Sequence, residues 1–166
     1  GVQTCALPIW AIDQGITAPD KVAIYGGSYG GYAALAGAVY TPDLYRCAIN
    51  YVGVSDLGLI AGSGNAGRAD RSYEYHAHVR IGDDPQYLHD RSPVNFIDRI
   101  KIPTFHAYGQ NDPRVDIKHW NRMRPKLDEY HKTYEILIED NEGHGFQNET
   151  NRIAFYKRIE IGRAHV

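Results

Sequence analysis

The sequence predicts an α/β domain built on a mostly parallel sheet with flanking helices. Three observations predict it. Four short apolar runs are bounded by turn residues, stretches of helical composition or period lie between them, and no internal repeat or low-complexity linker interrupts the alternation. Runs that are apolar throughout suit parallel strands covered on both faces.

Trp10–Gly15 reads as the end of a helix, with Gly15 near its C-cap and a Pro19-Asp20 turn after it. Lys21-Val22-Ala23-Ile24-Tyr25 reads as the first strand. A glycine-rich elbow spans Gly26–Gly31, and Tyr32–Tyr40 has helical composition, with three alanines and a leucine. Cys47–Val52 is the second expected strand, whereas residues 55–92 read as irregular and polar. Ile102–Tyr108, entered through Pro103, is the third strand. Ile117–His131 carries Ile117, Trp120, Met123 and Leu127 at spacings of three or four, the mark of an amphipathic helix, and Pro125 allows a kink in it. Tyr134–Ile138 is the fourth strand, and Asn151–Ile159 begins a final helix.

With 166 residues, 43% hydrophobic and 23% charged, the chain has the composition of a globular domain. Eighteen Lys and Arg against 20 Asp and Glu leave a net charge of −2, and the basic residues form no cluster. That argues against nucleic acid or an anionic membrane surface as the main partner. No apolar run approaches the roughly 20 residues that span a bilayer. Two cysteines, Cys5 and Cys47, cannot build a disulfide framework or a four-ligand zinc site. No cofactor or metal is expected.

The two ends carry a relation of their own. Ile161-Gly162-Arg163-Ala164-His165-Val166 back-translates to ATC GGA AGA GCA CAC GTC. Its reverse complement, read one base later, encodes Thr4-Cys5-Ala6-Leu7-Pro8 and opens the codon of Ile9. Both ends resemble translated sequencing-library adapter, so 1–9 and 161–166 are expected to be non-native and are set aside from fold reasoning. The remainder, 10–160, has a charge of 17 − 20 = −3 and reads as a piece of a longer protein.

Gly26-Gly27-Ser28-Tyr29-Gly30 is a G-x-S-x-G motif between a strand and a helix, the context of a nucleophile elbow. Such a turn needs small neighbours, lifts the serine hydroxyl clear of the sheet, and aims the Tyr29 N–H at a developing oxyanion. A serine hydroxyl needs a base, and this arrangement orders nucleophile, acid and histidine along the chain. Asp112 follows the third strand in Gly109-Gln110-Asn111-Asp112-Pro113-Arg114-Val115, and His144 follows the fourth in Glu142-Gly143-His144-Gly145-Phe146. Both fall at the carboxyl ends of strands, where open α/β sheets gather their ligands. Ser28 would attack, His144 would take and return the proton, and Asp112 would fix the imidazole tautomer.

Gly27-Ser28-Tyr29-Gly30-Gly31-Tyr32, Asn111-Asp112-Pro113-Arg114-Val115 and Glu142-Gly143-His144-Gly145-Phe146 resemble the prolyl oligopeptidase family of serine peptidases. Ser92-Pro93 and Ile100-Lys101-Ile102-Pro103 add to the likeness, which covers nearly all of 10–160. Gly27 before the serine and Tyr29 after it are most similar to the acylaminoacyl-peptidase branch. The resemblance implies an α/β-hydrolase fold whose early strands are missing here, and hydrolysis of short peptides through an acyl-enzyme. It further implies Val54 and Val115 as apolar walls of the primary specificity pocket and Arg114 at a position that can contact a substrate carbonyl. The family's second oxyanion donor and its N-terminal β-propeller have no counterpart in the chain. Two other readings stand beside it: a carboxylesterase on the same fold, and a truncated product inactive by itself.

Several features compete for attention. Gly62-Ser63-Gly64-Asn65-Ala66-Gly67 fits G-x-G-x-x-G but follows no clear strand, so a loop near the substrate pocket is the better reading. His76-Ala77-His78 lacks a second ligand cluster. Tyr73, Tyr75 and Tyr87 read as packing residues under a long loop, and Cys47 as a core residue of its strand.

Overall fold

The computed structural model describes residues 2–61 and 81–164. Helix α1 (Val2–Asp13) ends just before Gly15, whose φ of +68° takes the chain out of the helical path. Pro19 then opens a short 3-10 turn, Pro19–Lys21, so the first strand starts later than expected: β1 is Ala23–Gly27. It runs through both glycines up to Ser28, and α2 (Tyr29–Tyr40) begins at the next residue. β2 (Cys47–Tyr51) stops before Val52, which has φ +45°.

The expectation that 55–92 is irregular needs correction. Helices α3 (Leu57–Ala61) and α4 (Pro85–Arg91) lie within it, while the Gly62–Gly67 motif, Tyr73, Tyr75, His76 and His78 fall outside the described residues. Both helices are too short for an apolar period to emerge. α4 instead has a terminal signal: Asp84 accepts the Tyr87 N–H at 2.6 Å, and Pro85 occupies the first turn. A 3-10 segment, Pro93–Arg99, leads to β3 (Thr104–Gly109), which starts after Pro103 because proline donates nothing to a ladder. α5 (Lys118–Glu129) continues through Pro125 on its solvent side. β4 (Tyr134–Glu139) and α6 (Glu149–Ala164) complete the order.

The four strands lie in the order β1-β2-β3-β4, each neighbouring pair parallel. Gly27 is level with Tyr51, Tyr51 with Ala107, and Ala107 with Leu137, so one row crosses the sheet near its carboxyl edge. Side chains alternate between two cores. Leu35, Val39, Ala48, Ile97, Tyr108, Trp120, Met123 and Leu127 fill the larger one, under α2 and α5. Ala107, Leu137, Phe146 and Phe155 form the smaller one, under α6, with Tyr51 and Phe105 packed against it. Trp120, Met123 and Leu127 point inward as the helical period required. Among the described residues β1 pairs only with β2, and Tyr25 on it is 49% exposed.

Candidate active site

The elbow is assembled from β1, Ser28 and α2. Ser28 N–H donates to the Tyr51 carbonyl at 2.9 Å, a continuation of the ladder, while its own carbonyl accepts from Tyr32 at 3.1 Å as α2 starts. One residue thus serves both elements, and it adopts φ 56°, ψ −116° to do so. A non-glycine residue held there carries strain of about 1–3 kcal/mol. The glycines are unequal. A Cβ at Gly26 would lie 2.2 Å from the Gly30 carbonyl oxygen, whereas one at Gly30 would meet nothing within 4 Å. Gly26 is therefore the residue of the motif that the tight turn sterically demands. Gly31 is constrained from behind, 2.6 Å from Asn50 Oδ1 by the same measure.

The register brings the other expected residues to the same rim. His144 Nε2 lies 2.8 Å from Ser28 Oγ, and His144 Nδ1 lies 2.7 Å from Asp112 Oδ2. The Asp112 side chain is fully shielded from solvent, and its second oxygen accepts the N–H groups of Arg114 at 2.8 Å and Val115 at 2.9 Å. One oxygen thus holds the turn, and the other is left to face the imidazole. Tyr29 begins α2, and its N–H has no partner among the described residues, as the first turn of a helix requires. Such a line can move a proton from hydroxyl to imidazole while a helix N-terminus receives negative charge.

The loops that carry Asp112 and His144 are fastened to each other. Gln110 N–H donates to Glu139 O at 3.0 Å, Asn111 N–H to Glu142 O at 2.9 Å, and Asn111 Nδ2 to Asp140 O at 2.6 Å. The Tyr51 hydroxyl accepts the Phe146 N–H from the far side of the histidine loop.

Of the three residues expected of a pocket, Arg114 and Val115 touch the hydrogen-bonded line through their backbone N–H groups on Asp112, and their side chains differ in burial. Val115 is buried in the larger core, Val54 is half-buried against the same core, and the Arg114 side chain is exposed. Tyr87 on α4 is half-exposed with the Arg91 guanidinium 5.6 Å from its ring centre, and Cys47, opening β2, is half-buried. Among the described residues no group of three or more metal-ligating side chains converges, and no helix is long and apolar enough to cross a membrane.

A polar seam that no local sequence pattern marks lies behind the elbow. Asn50 Nδ2 donates to the Tyr108 hydroxyl at 2.8 Å and faces His106 Nδ1 at 3.3 Å, and Tyr108 donates to Gly53 O at 3.0 Å. Thr104 Oγ1 lies 2.9 Å from His106 Nε2. Burial pushes the His106 pKa down to about 3 and that of Tyr108 upward. The signal that would reveal the seam is cross-strand pairing, since Asn50 and His106 are register partners.

A family model described as "Prolyl oligopeptidase family" matches residues 5–160. The chain is 36% identical over 151 residues to dipeptidyl aminopeptidase BIII of Pseudoxanthomonas mexicana, covering 88% of this chain and 22% of that protein. It is 25% identical over 149 residues to the acylamino-acid-releasing enzyme of Arabidopsis thaliana, covering 86% and 20%. Among solved structures, a puromycin-hydrolyzing peptidase of Mycobacterium tuberculosis superposes with a TM-score of 0.79 at 29% identity, over 90% of this chain and 22% of that one. The chain thus spans about a fifth of the length of each of these three proteins.

Proposed function

Because the chain belongs to the prolyl oligopeptidase family, we propose that it carries the reacting groups of a serine peptidase that cleaves short peptides through an acyl-enzyme on Ser28. The observation that carries this reading is the continuous line of hydrogen-bonding distances from Asp112 through His144 to Ser28, 2.7 and 2.8 Å. In the proposed cycle His144 Nε2 removes the hydroxyl proton as Ser28 Oγ attacks the scissile carbonyl. The Tyr29 N–H receives the oxyanion, and collapse expels the amine with the proton held by His144. Water then repeats the sequence on the ester, and Asp112 holds the imidazole with its Nδ1–H toward the carboxylate throughout.

Val54 and Val115 are proposed as apolar walls for the residue before the scissile bond, and Arg114 as a donor to a substrate carbonyl. The names of the similar proteins, a dipeptidyl aminopeptidase and an acylamino-acid-releasing enzyme, support short peptides of those types as substrates. In this proposal 10–160 is a carboxyl-side part of a longer parent that supplies the second oxyanion donor and a β-propeller. The 10–160 piece has no turnover by itself.

The test uses the full-length parent. A fluorophosphonate probe is expected to label Ser28, and Ser28→Ala to lose the label together with hydrolysis of a dipeptidyl p-nitroanilide. Labelling that persists in Ser28→Ala overturns the assignment. Turnover of esters with no turnover of amides moves the reading to a carboxylesterase.

A further inference from the structure

Glu142 stands two residues before His144 and is 3% exposed. A carboxylate taken that far from water is costly unless its oxygens are bonded. Here both are. Oε2 accepts the Gln147 N–H at 2.8 Å, and Oε1 accepts the Asn148 N–H at 2.8 Å and Asn151 Nδ2 at 3.0 Å. All three donors lie beyond His144 in the chain, so the side chain closes residues 142–148 into a ring that contains the histidine. The backbone of the same residue faces the other way. Its carbonyl accepts from Asn111, the neighbour of Asp112, and its N–H donates to Glu139 O at 3.2 Å. Gly109 presses on this junction, since a Cβ there would lie 2.3 Å from Gly143 O and 2.6 Å from Glu142 O. Asn148 in turn accepts the Thr150 N–H at 2.9 Å at the start of α6.

Burial would raise the Glu142 pKa, but the bonds from Gln147, Asn148 and Asn151, with Arg152 nearby on α6, bring it below the ordinary carboxylate value. Tyr51 on β2 also interacts with it electrostatically, and burial, the larger cause, raises the phenol pKa above its ordinary value. An ionised carboxylate suits N–H donors arriving at both oxygens. A glutamine amide offers one acceptor and would set an NH2 against an N–H.

We infer that Glu142 is a positioning residue, whose carboxylate locks the His144 loop between the Asp112 loop and α6 and so holds the imidazole in register with Ser28. The inference rests on the reading of Ser28, Asp112 and His144 given above. Glu142 itself touches no reacting atom; it acts through the placement of His144.

In the full-length parent, kcat of Glu142→Gln is measured per active site titrated with a fluorophosphonate, so that unfolded molecules do not count. The expected result is a fall of about 10- to 100-fold in kcat, the scale set by ångström-size misplacement of reacting groups, with KM within twofold. Glu142→Asp keeps both oxygens on a shorter stem and is expected to lose less. If the glutamine variant does not fold, the aspartate variant decides, with a fall of severalfold expected. A kcat per titrated site within twofold of the parent overturns the inference, whatever happens to the melting temperature, because that is the signature of a purely structural clamp. A parent that takes no probe at Ser28 overturns the site reading and this inference together.

Discussion

Two histidines, one within β3 and one in the loop that follows β4, sit in opposite environments. His144 lies at the carboxyl rim, its ring 14% exposed, with a shielded carboxylate on one nitrogen and a hydroxyl on the other. His106 lies within β3, completely buried, with the amide of Asn50 at one nitrogen and the hydroxyl of Thr104 at the other. An imidazole that picks up a proton becomes a cation, and only the first environment offers a counter-charge. The second offers neutral dipoles, and burial drives its pKa to about 3. On the proposed reading, what distinguishes a proton carrier from a packing residue is the group opposite its second nitrogen. β3 serves both, for it holds His106 in its middle and releases Asp112 beyond its end.

The largest expected effect removes the charge that separates the two sites. Asp112→Asn keeps an oxygen for the Arg114 and Val115 N–H groups, so the turn should persist, but the imidazole loses its anionic partner. In the full-length parent kcat is expected to fall about 10⁴-fold, measured on a chromogenic peptide. A loss below tenfold would dissolve the distinction between His144 and His106.

Acid should act on the buried histidines first. His119, also buried, has its pKa lowered by burial to about 4. Both are neutral in the fold, whereas in the unfolded chain they take up protons near pH 6.5. Their folded pKa values are depressed, so the stability is fully present above about pH 6.5 and is lost as the pH falls toward 4. The slope is at most about 1.4 kcal/mol per pH unit for each histidine. Thermal melts of the parent between pH 8 and 4 read this directly, and a flat profile would refute it. The smallest effect sharpens the same point. His106→Leu deprives Asn50 and Thr104 of a partner and should cost about 1–3 kcal/mol in denaturant unfolding. It should reduce the acid slope, leaving the share of His119, and leave turnover per titrated site unchanged.

The elbow was legible because its geometry admits few residues. The steric demand at Gly26 and the strand-to-helix switch at Ser28 both leave marks within a few positions of the chain. Asp112 and His144 were legible because each directly follows an apolar strand, so their place at the rim came from order alone. The strand limits were less so, since Gly26 and Gly27 look like turn residues yet continue β1. The polar seam and the Glu142 clamp could not be read in this way. Asn50 meets His106 through strand register, and Glu142 meets Asn148 and Asn151 around a closed loop. Locally, His106 looks like an interruption of an apolar run and Glu142 like a solvated loop acid.

The contact between Ser28 and His144 joins residues 116 positions apart. During synthesis at about 5–20 residues per second, the elbow emerges on the order of ten seconds before its base. It can form early, from local strand and helix, yet its hydroxyl has no imidazole to receive a proton until β3 and β4 have paired behind it. In the proposed peptidase a growing chain is therefore chemically silent toward its neighbours on the ribosome. Competence on this reading waits for β4 and the His144 loop that follows it.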